Sequence, residues 1–180
     1  MISLFLSDVR AKAAWVHGTC TAATMLKVLL ADGTAAMLHY RLMQWSRKWR
    51  LVPLEMVFNR LNSGLCGCVI GRGAEFGPGF VMVHSNGIVI NGAVRGGRNI
   101  ILEHQVTIGA EKRAYPTLGD DVFIGAGAKV FGGITIGSRV KIGANAVVLT
   151  NIPDDATAVG IPAKVVRIGS ESVLKEENGG

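Results

Sequence analysis

From residue 64 onward the chain places a large apolar residue at every sixth position. Ile70, Phe76, Met82, Ile88, Val94, Ile100 and Val106 open the series, and Leu118, Ile124, Val130, Ile136, Ile142 and Val148 continue it. Only Lys112 breaks the count. In a chain that is 49% apolar, a preset register would run so far about once in a thousand trials. Glycine often follows the apolar position, as at Gly71, Gly77, Gly119, Gly125, Gly137 and Gly143, where a sharp corner needs a residue without a Cβ. One inward aliphatic and one corner per six residues predict a parallel β-helix, in which no repeat is stable alone. Lys112 lies in "GAEKRAYPT", which predicts that residues 110–117 leave the coil as a loop while keeping its register. Loops on a rigid repeat are favoured places for function. "NIPDDATAVGIPAKVVR" then ends the repeat in turns and a last strand that closes the open end.

The text before residue 64 has a different period. From about Ala22 to Leu61 the pattern is helical, and Leu38, Leu42, Trp45 and Trp49 recur at steps of four, three and four on one face. Asp32-Gly33 breaks the region into two helices, and Pro53 marks a further break or a helix start. The expected organisation is a helical segment over 1–63, a β-helix over 64–168 with its loop at 110–117, and a flexible polar tail over 169–180. The fold class is mainly β.

Composition narrows this only a little. A chain of 180 residues suits one domain with a real core, and a net charge of +6 suits an anionic ligand. No apolar run approaches a membrane span. "MISLFLSDVRAK" has neither a basic leader nor a small-residue cleavage site, so a cytoplasmic location is expected. Cys20, Cys66 and Cys68 have no metal-type spacing and read as reduced thiols. "YRLMQWSRKWRLVP" sets Trp45 and Trp49 beside Arg41, Arg47, Lys48 and Arg50. Such a helix docks on the β-helix or lies on the inner face of an anionic membrane. No nucleic-acid-binding motif accompanies the basic residues.

Chemistry enters at "FVMVHSNGIVI", where His84 interrupts an apolar run. With "VTIG", "PTLGDDVFIGAGAKVFGGITIG", "KIGANAVVL" and "VGIPAKVV", this stretch resembles the hexapeptide-repeat acyltransferases, and within them the serine acetyltransferase-like branch, from about Met37 to Arg167. The resemblance implies a left-handed β-helix, a homotrimer with active sites between neighbouring subunits, acetyl-CoA as donor and no metal. The short helical segment favours a single trimer over a hexamer. The resemblance also implies that His84 is the general base, since an alcohol attacks a thioester only as its proton is taken and neutral imidazole suits that task. Gly125, Ala126 and Ala144 fall where the family holds the pantetheine arm, and Lys129, Lys164 and Arg167 are candidates for the CoA phosphates. Asn86, His104 and Tyr115 are candidates for acceptor contact.

The departures are informative. Val69 stands where the family has the aspartate that orients the histidine, Val83 where an aspartate holds serine, and Ala114 and Tyr115 where an Arg-His pair precedes the proline. Glu103 and His104, one coil above His84, nearby Asn86 and a backbone carbonyl are the alternatives for orienting it, with Glu103 the candidate acid. A pocket without those charges binds a free zwitterion poorly, and Tyr115 suits stacking on a sugar. The reading is therefore an acetyl-CoA-dependent O-acetyltransferase acting on a saccharide or polysaccharide intermediate. Serine O-acetylation is its close alternative, and a non-catalytic β-helix scaffold a third reading. A zinc lyase on the same fold needs three converging histidines, whereas the repeat region offers only His84 and His104.

Overall fold

The computed structural model describes residues 1–172. Four helices, α1 (Ile2–His17), α2 (Ala22–Leu29), α3 (Thr34–Lys48) and α4 (Val52–Leu65), precede sixteen short strands. The strands cycle through three faces of a solenoid of about four turns. Face one stacks β1 (Val69–Ile70), β4 (Val89–Ile90), β7 (Thr107–Gly109), β10 (Lys129–Phe131) and β13 (Val147–Val148). Face two stacks β2 (Glu75–Phe76), β5 (Arg95–Gly96), β8 (Thr117–Leu118) and β11 (Thr135–Ile136). Face three stacks β3 (Val81–Met82), β6 (Ile101–Leu102), β9 (Phe123–Ile124), β12 (Lys141–Ile142) and β14 (Ala156–Val159) in parallel. It ends in antiparallel β15 (Lys164–Ile168) and β16 (Glu171–Ser172). The fold is a mainly β parallel β-helix behind a helical front.

All thirteen apolar positions of the six-residue count are buried, yet they do not form one inward row. Ile70 pairs with Ile90, Ile90 with Ile108, Ile108 with Val130 and Val130 with Val148, so successive coils hold twenty, eighteen, twenty-two and eighteen residues. Two residues are added between Met82 and Ile90, at the corner that carries His84, and four more between Ile108 and Leu118. Together they make one repeat, which returns the count to phase. Between those insertions the count reads a second inward row, to which buried Ile88, Val94, Ile100 and Val106 belong. Residues 110–117 therefore do not keep the register, as the sequence suggests; they restore it. Each fully buried aliphatic contributes about 1.5–3 kcal/mol.

The helices close the lower end of the solenoid. A first coil exposes three strand edges whose backbone groups need partners. Asn59 Nδ2 donates to the Ile70 carbonyl below β1 at 2.7 Å. Below β2, Tyr40 Oη accepts the Phe76 N–H at 3.0 Å, and Arg41 donates to the carbonyls of Phe76 and Gly77. Below β3, Asp8 accepts the N–H groups of Gly79 and Phe80 at 3.0 and 2.9 Å, while Lys12 donates to the carbonyls of Met82 and Val83. Arg41 and Asp8 are joined by two hydrogen bonds of 2.7 and 2.9 Å, both side chains buried.

Two expectations change here. The inward face of α3 carries Met37, Tyr40, Arg41 and Met43, whereas of the Leu38–Trp49 row Leu38 and Leu42 are half-buried and Trp45 and Trp49 exposed. At the other end Gly169 turns the chain back, and Glu171–Ser172 pair with β15. That part of the expected tail is strand, and residues 173–180 lie outside the described residues.

Candidate active site

β3 ends two residues before His84, at the corner between faces three and one that carries two extra residues. The turn between α2 and α3 meets it there. Gly33, in the left-handed conformation at φ 76°, is pressed against the strand end, where an added Cβ would stand 2.3 Å from the Met82 carbonyl oxygen. This close approach brings in Asp32, whose Oδ2 lies 3.0 Å from His84 Nδ1. Asp32 Oδ1 accepts the Gly33 N–H at 2.7 Å and is 3.4 Å from Ser85 Oγ.

A carboxylate only accepts hydrogen bonds, so Nδ1 carries the ring proton and Nε2 keeps its lone pair. Partial burial alone would raise the Asp32 carboxyl. The hydrogen bond from His84, the Gly33 N–H and the charges of His84 and Lys12 outweigh it and hold the group below the usual carboxylate range. Both side chains are about half exposed, so water screens the pair and its contribution to stability is small. Its consequence is orientation: one ring nitrogen is fixed as donor and the other keeps its lone pair.

The same corner continues upward. Backbone N–H groups of Gly87, Gln105, Gly127 and Asn145 donate to the carbonyls of Gly67, Asn86, His104 and Ala126 respectively. This stacks His84 and Asn86 under His104, then Gly125 and Ala126, then Ala144. The rings of His84 and His104 are 6.0 Å apart, edge to face. Gly125 has no room for a side chain, since its Cβ would stand 2.7 Å from the Ala144 nitrogen. Above the imidazole the corner carries His104 and then small residues, Gly125, Ala126 and Ala144, on closely packed coils. Lys129 donates to the Gln105 carbonyl at 2.6 Å, between the His104 and Ala126 levels of that corner. Lys164 and Arg167 lie on β15 at the top of face three. Asp32, Ser85 and Asn86 also line an open cleft of about 500 Å³.

Two candidates stand elsewhere. Glu103 does not orient His84: its Oε2 is 3.9 Å from His104 Nδ1, and Asp32 holds the nitrogen it was expected to take. Tyr115 sits at the corner between faces one and two, on a loop pinched by mutual Glu111–Ala114 backbone bonds of 3.0 and 2.8 Å. A whole face separates that corner from His84 within one chain. Sequence reading missed Asp32, which it treated as turn chemistry, and Lys12. Neither carries a local signal linking it to a histidine far along the chain.

Comparisons with known proteins bear on the repeat and the fold. The model of the bacterial transferase hexapeptide (six repeats) family matches residues 115–150. A serine acetyltransferase of Helicobacter pylori is 40% identical over 143 residues, 77% of this chain and 84% of that protein. One from Synechococcus elongatus is 38% identical over 146 residues, 78% of this chain and 60% of the relative. Among solved structures, the Neisseria gonorrhoeae serine acetyltransferase superposes with a TM-score of 0.83 at 30% identity, covering 95% of this chain and 68% of that one. Soybean serine acetyltransferase complexed with serine gives 0.81 at 31%, over 91% and 68%. With its repeat, its corner histidine and these relatives, the chain belongs to the serine acetyltransferase family of hexapeptide-repeat acyltransferases.

Proposed function

We propose that the protein transfers acetyl from acetyl-CoA to the hydroxyl of L-serine, with His84 as general base. The contact of His84 Nδ1 with Asp32 carries the chemical part, because it leaves Nε2 free to accept a proton. The names of the relatives support the acceptor. Nε2 takes the hydroxyl proton as the oxygen bonds to the thioester carbonyl carbon; the C–S bond then breaks, and the departing sulfur receives that proton from the imidazolium. Gly125, Ala126 and Ala144 line the path of the pantetheine arm, and Lys129, Lys164 and Arg167 meet the CoA phosphates. Asn86 and His104 face the acceptor. Tyr115 reaches an imidazole only in a neighbouring copy, which supports a homotrimer with shared sites rather than a self-sufficient chain.

A second reading has a saccharide hydroxyl as acceptor. Val69, Val83, Ala114 and Tyr115 favour it, since they replace the charges that would hold a small zwitterion. The exposed Trp45 and Trp49 beside Arg47, Lys48 and Arg50 support contact with an anionic membrane, although among the described residues no helix is long and apolar enough to span one. CoA release measured with L-serine and with a panel of sugars and oligosaccharides separates the two. Saturable turnover with serine is expected, and His84→Ala should lower it roughly a hundredfold or more with the fold intact. Turnover with a saccharide and not with serine selects the second reading; unchanged turnover in His84→Ala overturns both.

A further inference from the structure

Behind the His84–Asp32 contact lies a buried cation, Lys12, with 1% of its surface exposed. Its Nζ donates to the Met82 carbonyl at 2.9 Å, to the Val83 carbonyl at 3.3 Å, and to the carbonyl of Asp32. An ammonium has three protons, and here three carbonyls receive them. Two of these acceptors end the strand that carries the imidazole; the third belongs to the residue that carries the carboxylate.

Burying an ammonium costs several kcal/mol, and desolvation pulls this lysine down to about 8 against the opposing charge of Asp32. Simple satisfaction of a strand edge explains the bonds to Met82 and Val83, just as Asp8 satisfies the N–H groups of Gly79 and Phe80. It does not explain the third bond, because the Asp32 carbonyl belongs to a helix–helix turn outside the sheet. Gly33 gives the independent geometric sign, since the turn is pressed onto the strand end with no space left for a Cβ.

We propose that Lys12 is a positioning residue of the His84–Asp32 pair: by holding the carbonyls of Met82, Val83 and Asp32 at one point, it sets the carboxylate within reach of Nδ1. Orientation of the base then depends on docking of α1, far from His84 in sequence. This rests on the reading of His84 as general base.

The test is nitrogen-15 NMR of the His84 ring in the full-length protein, beside steady-state kinetics. The wild type is expected to hold its ring proton on Nδ1. Lys12→Met should give a mixture of the two tautomers while circular dichroism reports an intact fold. Its kcat should fall about tenfold to a hundredfold with KM for acetyl-CoA unchanged, and Lys12→Met in an Asp32→Asn background should lower kcat no further. An unchanged tautomer, or effects of the two substitutions that multiply, overturns the proposal. If Lys12→Met does not fold, Lys12→Gln takes its place, and failure of both makes the lysine a folding residue and overturns the positioning role. Failure of the base reading is distinct: His84→Ala would stay active while the ring signals still respond to Lys12.

Discussion

An imidazole held at one nitrogen is a different reagent from one that tumbles. Asp32 fixes the His84 tautomer through a single 3.0 Å contact, and Lys12 anchors the backbone of both partners. The lysine also leaves a signature in stability. Its native value is lowered from 10.5 to about 8 by burial, with Asp32 as the charge facing it and Asp8, on the same helix, held by Arg41. Between those values the unfolded chain keeps a proton that the native protein has lost, so this group's contribution rises with pH across that window. Below about pH 8 the native protein bears the full desolvation cost. Denaturation of wild type and Lys12→Met from pH 7 to 10.5 should show the wild type gaining stability relative to the variant as pH rises. A parallel pair of curves would contradict the buried-ammonium assignment. At this scale His84 was legible, because "HSNGIVI" carries it in a recognisable setting. Asp32 was not, because Asp-Gly between two helical stretches reads as an ordinary turn.

Among the elements, α1 falls within the expected helical segment but is the one that no apolar period delimits, and its buried residues give the reason. They include Asp8 and Lys12 beside Val9 and Ala13, so no apolar stripe marks the face that docks. The helix substitutes for a missing strand, with Asp8 accepting the N–H groups of Gly79 and Phe80 just before β3 and Lys12 donating to the carbonyls of Met82 and Val83 at its end. Asp8 is also the partner of buried Arg41. Asp8→Ala should therefore destabilise the protein by about 3–5 kcal/mol, since it leaves a buried guanidinium unpaired. Urea unfolding measures this, and a loss under about 1 kcal/mol would place the pair in the class of exposed ion pairs. In α3 the row of Leu38, Leu42, Trp45 and Trp49 has the right period but is only half-buried at its first two positions and exposed at the last two; amphipathic spacing identifies a helix without saying which neighbour its apolar face meets. The repeat was legible, and so was the loop at 110–117. The insertion at the His84 corner and the change of row that follows it were hidden, because the two insertions sum to one repeat.

As a whole, the molecule is a stack whose lower end is sealed by helices and whose chemistry lies at the join. The solenoid supplies the imidazole and the small residues stacked above it; the helical front supplies the carboxylate and the lysine behind it. Fold class and family could be read from the repeat and its corner words, since each coil states the same local rule. The source of the acid could not, because it depends on how two differently patterned segments dock. Tyr115 and His84 stand at different corners of one chain, so a site that uses both forms between copies. Sedimentation should find a trimer under conditions of activity, and a fully active monomer would remove Tyr115 from the site.

CoA release under saturating acetyl-CoA and acceptor, compared for wild type, His84→Ala and Asp32→Asn, bears most directly on the His84–Asp32 pair as the catalytic centre. Both variants are expected to lose kcat, Asp32→Asn by roughly a hundredfold, with acetyl-CoA affinity unchanged. An Asp32→Asn enzyme that turns over like the wild type would contradict it.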